Sequence, residues 1–82
     1  MNEKPTEQDI LEENRKVRRL QLMISLVMGT ISHGDLPVEE ASELVASAKR
    51  AALALFPDKE LAYDLIYKPR LQRLMMERYR ML

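Results

Sequence analysis

The segment Val17-Arg18-Arg19-Leu20-Gln21-Leu22-Met23-Ile24-Ser25-Leu26-Val27-Met28-Gly29-Thr30-Ile31 decides the fold of this chain. From Leu20 onward it is the most apolar run in the sequence. It continues a heavily charged stretch, Thr6 to Lys16. Together they predict one long first helix, from Thr6 to about Ser32, with its outer half in water and its inner half buried. Apolar residues recur every seventh position at Ile10, Val17, Ile24 and Ile31. A second row, Leu20 and Val27, is broken one heptad earlier by Glu13. A narrow apolar stripe inside a charged sheath is the pattern of a two-helix seam. In the inner half Leu22, Met23, Leu26 and Met28 add apolar surface almost all round, which predicts burial on several sides. On this reading Leu22, Met23, Leu26 and Met28 pack within the chain, while Val17, Leu20, Ile24 and Val27 continue the seam outside the core. Ser25, Gly29 and Ser32 share a face that would admit a close neighbour. Gly34 suits the left-handed position just past a helix end.

Toward the N-terminus, residues 1–5 are polar and end in Pro5, so a frayed start is expected, followed by a single helical domain over 6–82. Thr6 fits an N-cap, with Asp9 three residues on completing an imperfect capping box. Glu7, Asp9, Glu12 and Glu13 suit the positive end of a helix dipole. Toward the C-terminus, Asp35-Leu36-Pro37 opens a second helix. Val38, Ala41, Val45, Ala48, Ala52 and Leu55 follow helical spacing along it. Its alanines make it thin, and the Ser25/Gly29 face is its expected seat. Phe56-Pro57 ends it. Asp58 is the expected cap of a third helix, Lys59 to Tyr67, with Leu61, Ala62, Leu65 and Ile66 inward. Pro69 kinks or breaks this helix. Beyond it Leu71, Leu74, Met75, Tyr79 and Leu82 form an apolar stripe. The expected fold class is therefore all-α: a small helical bundle of three to four helices.

A chain of 82 residues is one domain by length and lies near the lower limit of independent stability. It has no cysteine, so disulfides and thiolate metal sites are excluded as sources of stability. Helix packing or oligomerisation must supply it. The zero cysteine count and the absence of a convincing leader fit a cytoplasmic protein. Arg15 to Arg19 followed by Leu20–Ile31 imitates a signal peptide, but five acids precede it. The apolar run is also too short for a bilayer, which needs about 20 residues.

Net charge is zero but unevenly distributed. Residues 1–13 carry five acids against Lys4, and residues 68–82 carry five bases against Glu77. Opposite ends of this kind can pair within a chain or between antiparallel subunits. Length points the same way. A first helix of about 26 residues would run roughly 39 Å at 1.5 Å per residue. A compact domain of this size has a diameter of around 30 Å. The outer half must project, lie under another helix of the same chain, or meet a second molecule. Homodimerisation is the expected outcome, with Ile10, Val17, Leu20, Ile24 and Val27 as self-association residues.

Little in the sequence points to chemistry. His33 is the only histidine, and a helix C-terminus explains it through the dipole alone. No Ser/His/Asp set, phosphate loop or HExxH pattern occurs. Glu39, Glu40 and Glu43 fall in an acidic first turn and need no metal. No catalytic residue, metal site or cofactor is expected, and an enzyme is not. The leading expectation is protein–protein association, as a homodimer or as an assembly or regulatory subunit. The rival expectation is a nucleic-acid-binding module using Arg15, Arg18, Arg19, Arg70 and Arg73, which would have to share one face. A pI of about 6.6 and the lack of helix-turn-helix spacing speak against it.

Overall fold

A computed structural model describes residues 4–80, and every regular element among them is helical. Helix α1 spans Glu7–His33, α2 Val38–Leu55, α3 Glu60–Ile66 and α4 Lys68–Tyr79. The expected frayed start and Leu82 fall largely outside the described residues; within them, Lys4 and Pro5 are exposed and non-helical.

Helix α1 begins where the sequence places it. Thr6 Oγ1 accepts from the Asp9 backbone N–H at 3.1 Å, and the Asp9 carboxylate accepts from the Thr6 N–H at 3.1 Å. Aspartate thus completes a reciprocal capping box usually closed by a longer acid. The other end departs from expectation. Gly34 is extended, at φ −81° and ψ 163°, not left-handed. Its N–H donates to the Thr30 carbonyl at 2.7 Å. Glycine is required there for closeness: an added Cβ would overlap the Thr30 carbonyl oxygen.

Helix α2 starts after Pro37 with Glu39 and Glu40 in its first turn, and it carries no side-chain cap. Asp58 does not cap the third helix. Lys59 holds the N-cap position, and Asp58 sits in the preceding turn. The break near Pro69 is confined to Tyr67, which keeps helical dihedrals of φ −95° and ψ −36°. Tyr67 N–H still donates to Tyr63 O at 2.9 Å, and Leu71 N–H to Tyr67 O at 3.0 Å. Pro69 has no N–H to offer and is accommodated in the first turn of α4.

The core is formed by Leu20, Ile24, Val27 and Ile31 of α1, Ala41, Ala48 and Ala52 of α2, Tyr63 of α3, and Leu71 and Met75 of α4. Ile31 and Leu71 are its most enclosed large side chains. The small α2 side chains let α2 approach closely, as expected, but they do so over the Leu20–Ile31 row. The Ser25/Gly29 face is not their seat: Ser25 is exposed and nothing lies within 4 Å of a Cβ built on Gly29. The chain end is tied back across this core. Arg78 donates to Gly34 O at 3.0 Å and the Tyr79 hydroxyl to Leu36 O at 2.8 Å. These bonds fix the far end of α4 against the α1–α2 connection.

Candidate protein-association surface

Helix α1 contains 27 residues, about 40 Å at 1.5 Å per residue. Its first buried residue is Leu20. Everything described before Leu20 is exposed, so the outer half forms an arm. The molecule measures 50 × 20 × 16 Å with a radius of gyration of 15.1 Å. A compact chain of this length would have about 12 Å. The arm carries apolar side chains into water: Ile10 is 49% exposed and Val17 38%, and Leu11 is exposed beside them. Among the described residues, neither Ile10 nor Val17 belongs to the core or to the side chains packed against it.

The proposed self-association row therefore divides. Ile10 and Val17 remain open on the arm. Leu20, Ile24 and Val27 do not: they are buried under α2 and α4 of their own chain. Reading them as lying outside the core is corrected by the packing. The converse expectation holds for Met23 and Met28, which pack against the core, and fails for Leu22 and Leu26, 66% and 71% exposed on the far side of α1. The reason is geometric. Two helices laid on one side of α1 cover a single face, the one that repeats at Leu20, Ile24, Val27 and Ile31. Leu22 and Leu26 point away from it. Leu61 and Leu65 are similarly outward on α3, contrary to their expected inward position.

Helix α1 packs on α2 and α4, while its backbone stands off from that of α3. A cleft of ≈ 160 Å³ opens between them, lined by Glu13, Leu20, Phe56, Ala62, Ile66 and Tyr67 among others. Its walls are almost wholly apolar, with Glu13 and Lys59 as the charged groups. Lys16 lies 6.0 Å from the centre of the Phe56 ring, at the foot of the arm. Tyr63 and Tyr67 form a tilted pair with ring centres 5.7 Å apart.

The back of α3 is held to α2 by ions. Lys49 Nζ lies 3.0 Å from both Glu60 and Asp64. The hydrogen bond to Asp64, then that to Glu60, holds the Lys49 ammonium above the usual lysine range. Asp64 Oδ1 is shielded from solvent without an ideally directed hydrogen bond, and this ion pair offsets its burial. The Tyr63 hydroxyl is also shielded and has no hydrogen-bond partner. Burial pushes its pKa up. Sequence reasoning missed the Lys49 cluster. Its only signal was a lysine on a helix whose first half holds the acids.

The basic residues fall into two groups. Arg70 and Arg73 border a shallow groove with Met28, Leu74 and Glu77. Arg15, Arg18 and Arg19 are exposed on the outer half of α1. The nearest of them, Arg19, is nine residues from Met28 along the helix, about 14 Å. His33 is exposed in the last turn of α1. Among the described residues no three His, Asp or Glu side chains gather as a metal cluster, and no helix is long and apolar enough to cross a membrane. No protein-family model, curated protein or solved structure matches this chain.

Proposed function

We propose that this protein acts by protein–protein association, first with a second copy of itself, as a small helical assembly or regulatory element. One observation supports the reading above the rest. The outer half of α1 holds Ile10, Leu11 and Val17 exposed to water, outside the core. A helix of 12 to 15 residues is marginal in water on its own, and most helical stability in proteins comes from packing an apolar face. A helical arm with an uncovered apolar row is thus best understood as one half of an interface. In a homodimer the same surface meets itself about a two-fold axis.

The reading is tested by sedimentation velocity or light scattering from low to high micromolar concentration. The expected result is a species of twice 9.6 kDa whose population grows with concentration. A 9.6 kDa monomer throughout that range would sink self-association. The nucleic-acid reading has weaker support, because its arginines are divided between the outer half of α1 and the first turns of α4, and the chain carries no net positive charge. Binding of mixed-sequence duplex or single strands at about 50 mM salt, where counterion release is strongest, would revive it.

A further inference from the structure

We infer that the arm of a second copy lies antiparallel to α1 in the wedge between α1 and α3, with its Ile10 in the cleft beside Leu20. The inference rests on the association reading above and gives it a partner surface and a direction. Three observations carry it.

The first is the wedge itself. The α3 backbone stands off from α1, and the space between them, closed at its inner end by α2, is an apolar cleft of ≈ 160 Å³. An apolar cavity of about 150 Å³ accommodates a group the size of benzene, so this cleft takes one or two aliphatic side chains. The second is position. The cleft opens at the level where the arm leaves the rest of the fold, since its α1 lining is Glu13 and Leu20. The face of α1 that is buried at Leu20, Ile24 and Val27 continues outward to Ile10 and Val17, and there it is uncovered. A helix laid along that exposed continuation extends the same packing past the end of α2.

The third is charge, which sets the direction. The arm is acidic before Asn14, at Glu7, Asp9, Glu12 and Glu13, and basic after it, at Arg15, Lys16, Arg18 and Arg19. A parallel pair of arms would set acids against acids and bases against bases. An antiparallel pair centred near Asn14 sets each half against its complement. Lys16 then faces the Glu12 and Glu13 of the other copy, and Arg18 comes within reach of its Glu7. The same register brings the second copy's Ile10 level with Arg18, within one turn of Leu20 and the cleft mouth. Two-fold symmetry fills both clefts alike.

Four variants test this by mass in sedimentation velocity at a concentration where the native chain is dimeric. Ala62→Arg fills the cleft from the α3 side, and Ile10→Asp removes the apolar tip of the arm. Each is expected to shift the mass to 9.6 kDa, with the native melting curve kept at concentrations where both chains are monomeric. Ile10 has no intrachain packing, so its replacement leaves the core intact. Leu65→Arg, on the exposed side of α3 away from the cleft, is expected to leave the dimer as it was. The fourth is a charge reversal of one half-arm, Glu12→Lys with Glu13→Lys. It is expected to weaken the dimer at least tenfold, and adding Lys16→Glu with Arg18→Glu should restore it. A native dimer that survives both Ala62→Arg and Ile10→Asp, or that falls only to Leu65→Arg, overturns this geometry while leaving self-association standing. A native chain that is monomeric at every concentration overturns both.

Discussion

Two glycines in this chain look alike in sequence and differ in what surrounds them. Gly29 sits inside α1 with open space where a Cβ would be. Its presence as the seat of a close neighbour was a fair inference from a Ser25/Gly29/Ser32 face, but sequence spacing records only which residues share a face, not whether another helix comes to it. In an exposed helix interior glycine costs about 1 kcal/mol relative to alanine. Gly29→Ala is therefore expected to stabilise the monomer by about 1 kcal/mol, raising the melting temperature by about 4–8 °C for a domain of this size. Gly34→Ala should do the opposite, costing on the order of 2 kcal/mol, because the new methyl overlaps the Thr30 carbonyl. Thermal melts of the two variants side by side check both signs. Tyr63 offers a third test. Its shielded hydroxyl has no partner, and such a group carries a desolvation cost. Tyr63→Phe should be neutral or stabilising by up to about 1 kcal/mol. Alkali acts on the same corner. Both the Lys49 ammonium and the Tyr63 phenol lose their protons at higher pH in the folded chain than in the unfolded one. The Lys49 ion pairs are thus fully stabilising below about pH 10, and the fold weakens as pH rises through the raised values, where Lys49 loses its charge and Tyr63 must ionise in a shielded site. The melting temperature should fall above about pH 10, less steeply in Tyr63→Phe, and a slope identical to the native one would contradict the assignment.

At the scale of an element, α1 is one continuous helix with two halves in different surroundings. The heptad row from Ile10 to Ile31 was legible in the sequence because period alone defines it. What covers that row was not legible, because cover depends on where α2 ends. Helix α2 runs back along α1 and closes with Phe56 beside Lys16, so the row is core inside Leu20 and surface outside it. The apolar excess at Leu22 and Leu26 misled for a related reason. Hydrophobicity all round a helix predicts burial all round, yet this chain supplies helices to one side only. The outer half then depends on local interactions, of which the Thr6–Asp9 box is the best formed. Thr6→Ala removes one hydrogen bond and the cap, at a cost of about 1 kcal/mol to the arm. Because the arm shares no core with the rest, the loss should appear as reduced helical circular dichroism with little change in the cooperative melting temperature. A melting temperature lowered as much as the helicity would mean that the arm and the core unfold together.

For the whole molecule, the question is which parts of the chain need each other. The all-helical class, three to four helical segments and the alanine-rich second helix follow from periodicity, caps and prolines in the sequence. The elongation follows from a length argument that compares one helix with the whole domain. The surfaces left uncovered do not follow, since they depend on the difference between a helix that meets α1 and one that stands off from it. The molecule measures 50 Å along one axis against 20 and 16 Å across, and the excess is the arm. Every core residue lies at or after Leu20, and the bonds that close the core, from Arg78 to Gly34 O and from Tyr79 to Leu36 O, lie at the opposite end. A chain beginning at Asn14 therefore loses no buried side chain. It should fold with the cooperative transition of the full chain and a melting temperature within a few degrees of it at concentrations where the full chain is monomeric. It should also lose Ile10, Leu11 and the acidic half of the arm together. If the arm is an interface, the shortened chain stays at monomer mass at concentrations where the full chain is dimeric. Its melting temperature should also be independent of concentration, since mass action stabilises only species that associate. A shortened chain that unfolds would show that the arm supports the core. One that still dimerises would move the interface to the outward leucines, Leu22 and Leu26 of α1 or Leu61 and Leu65 of α3.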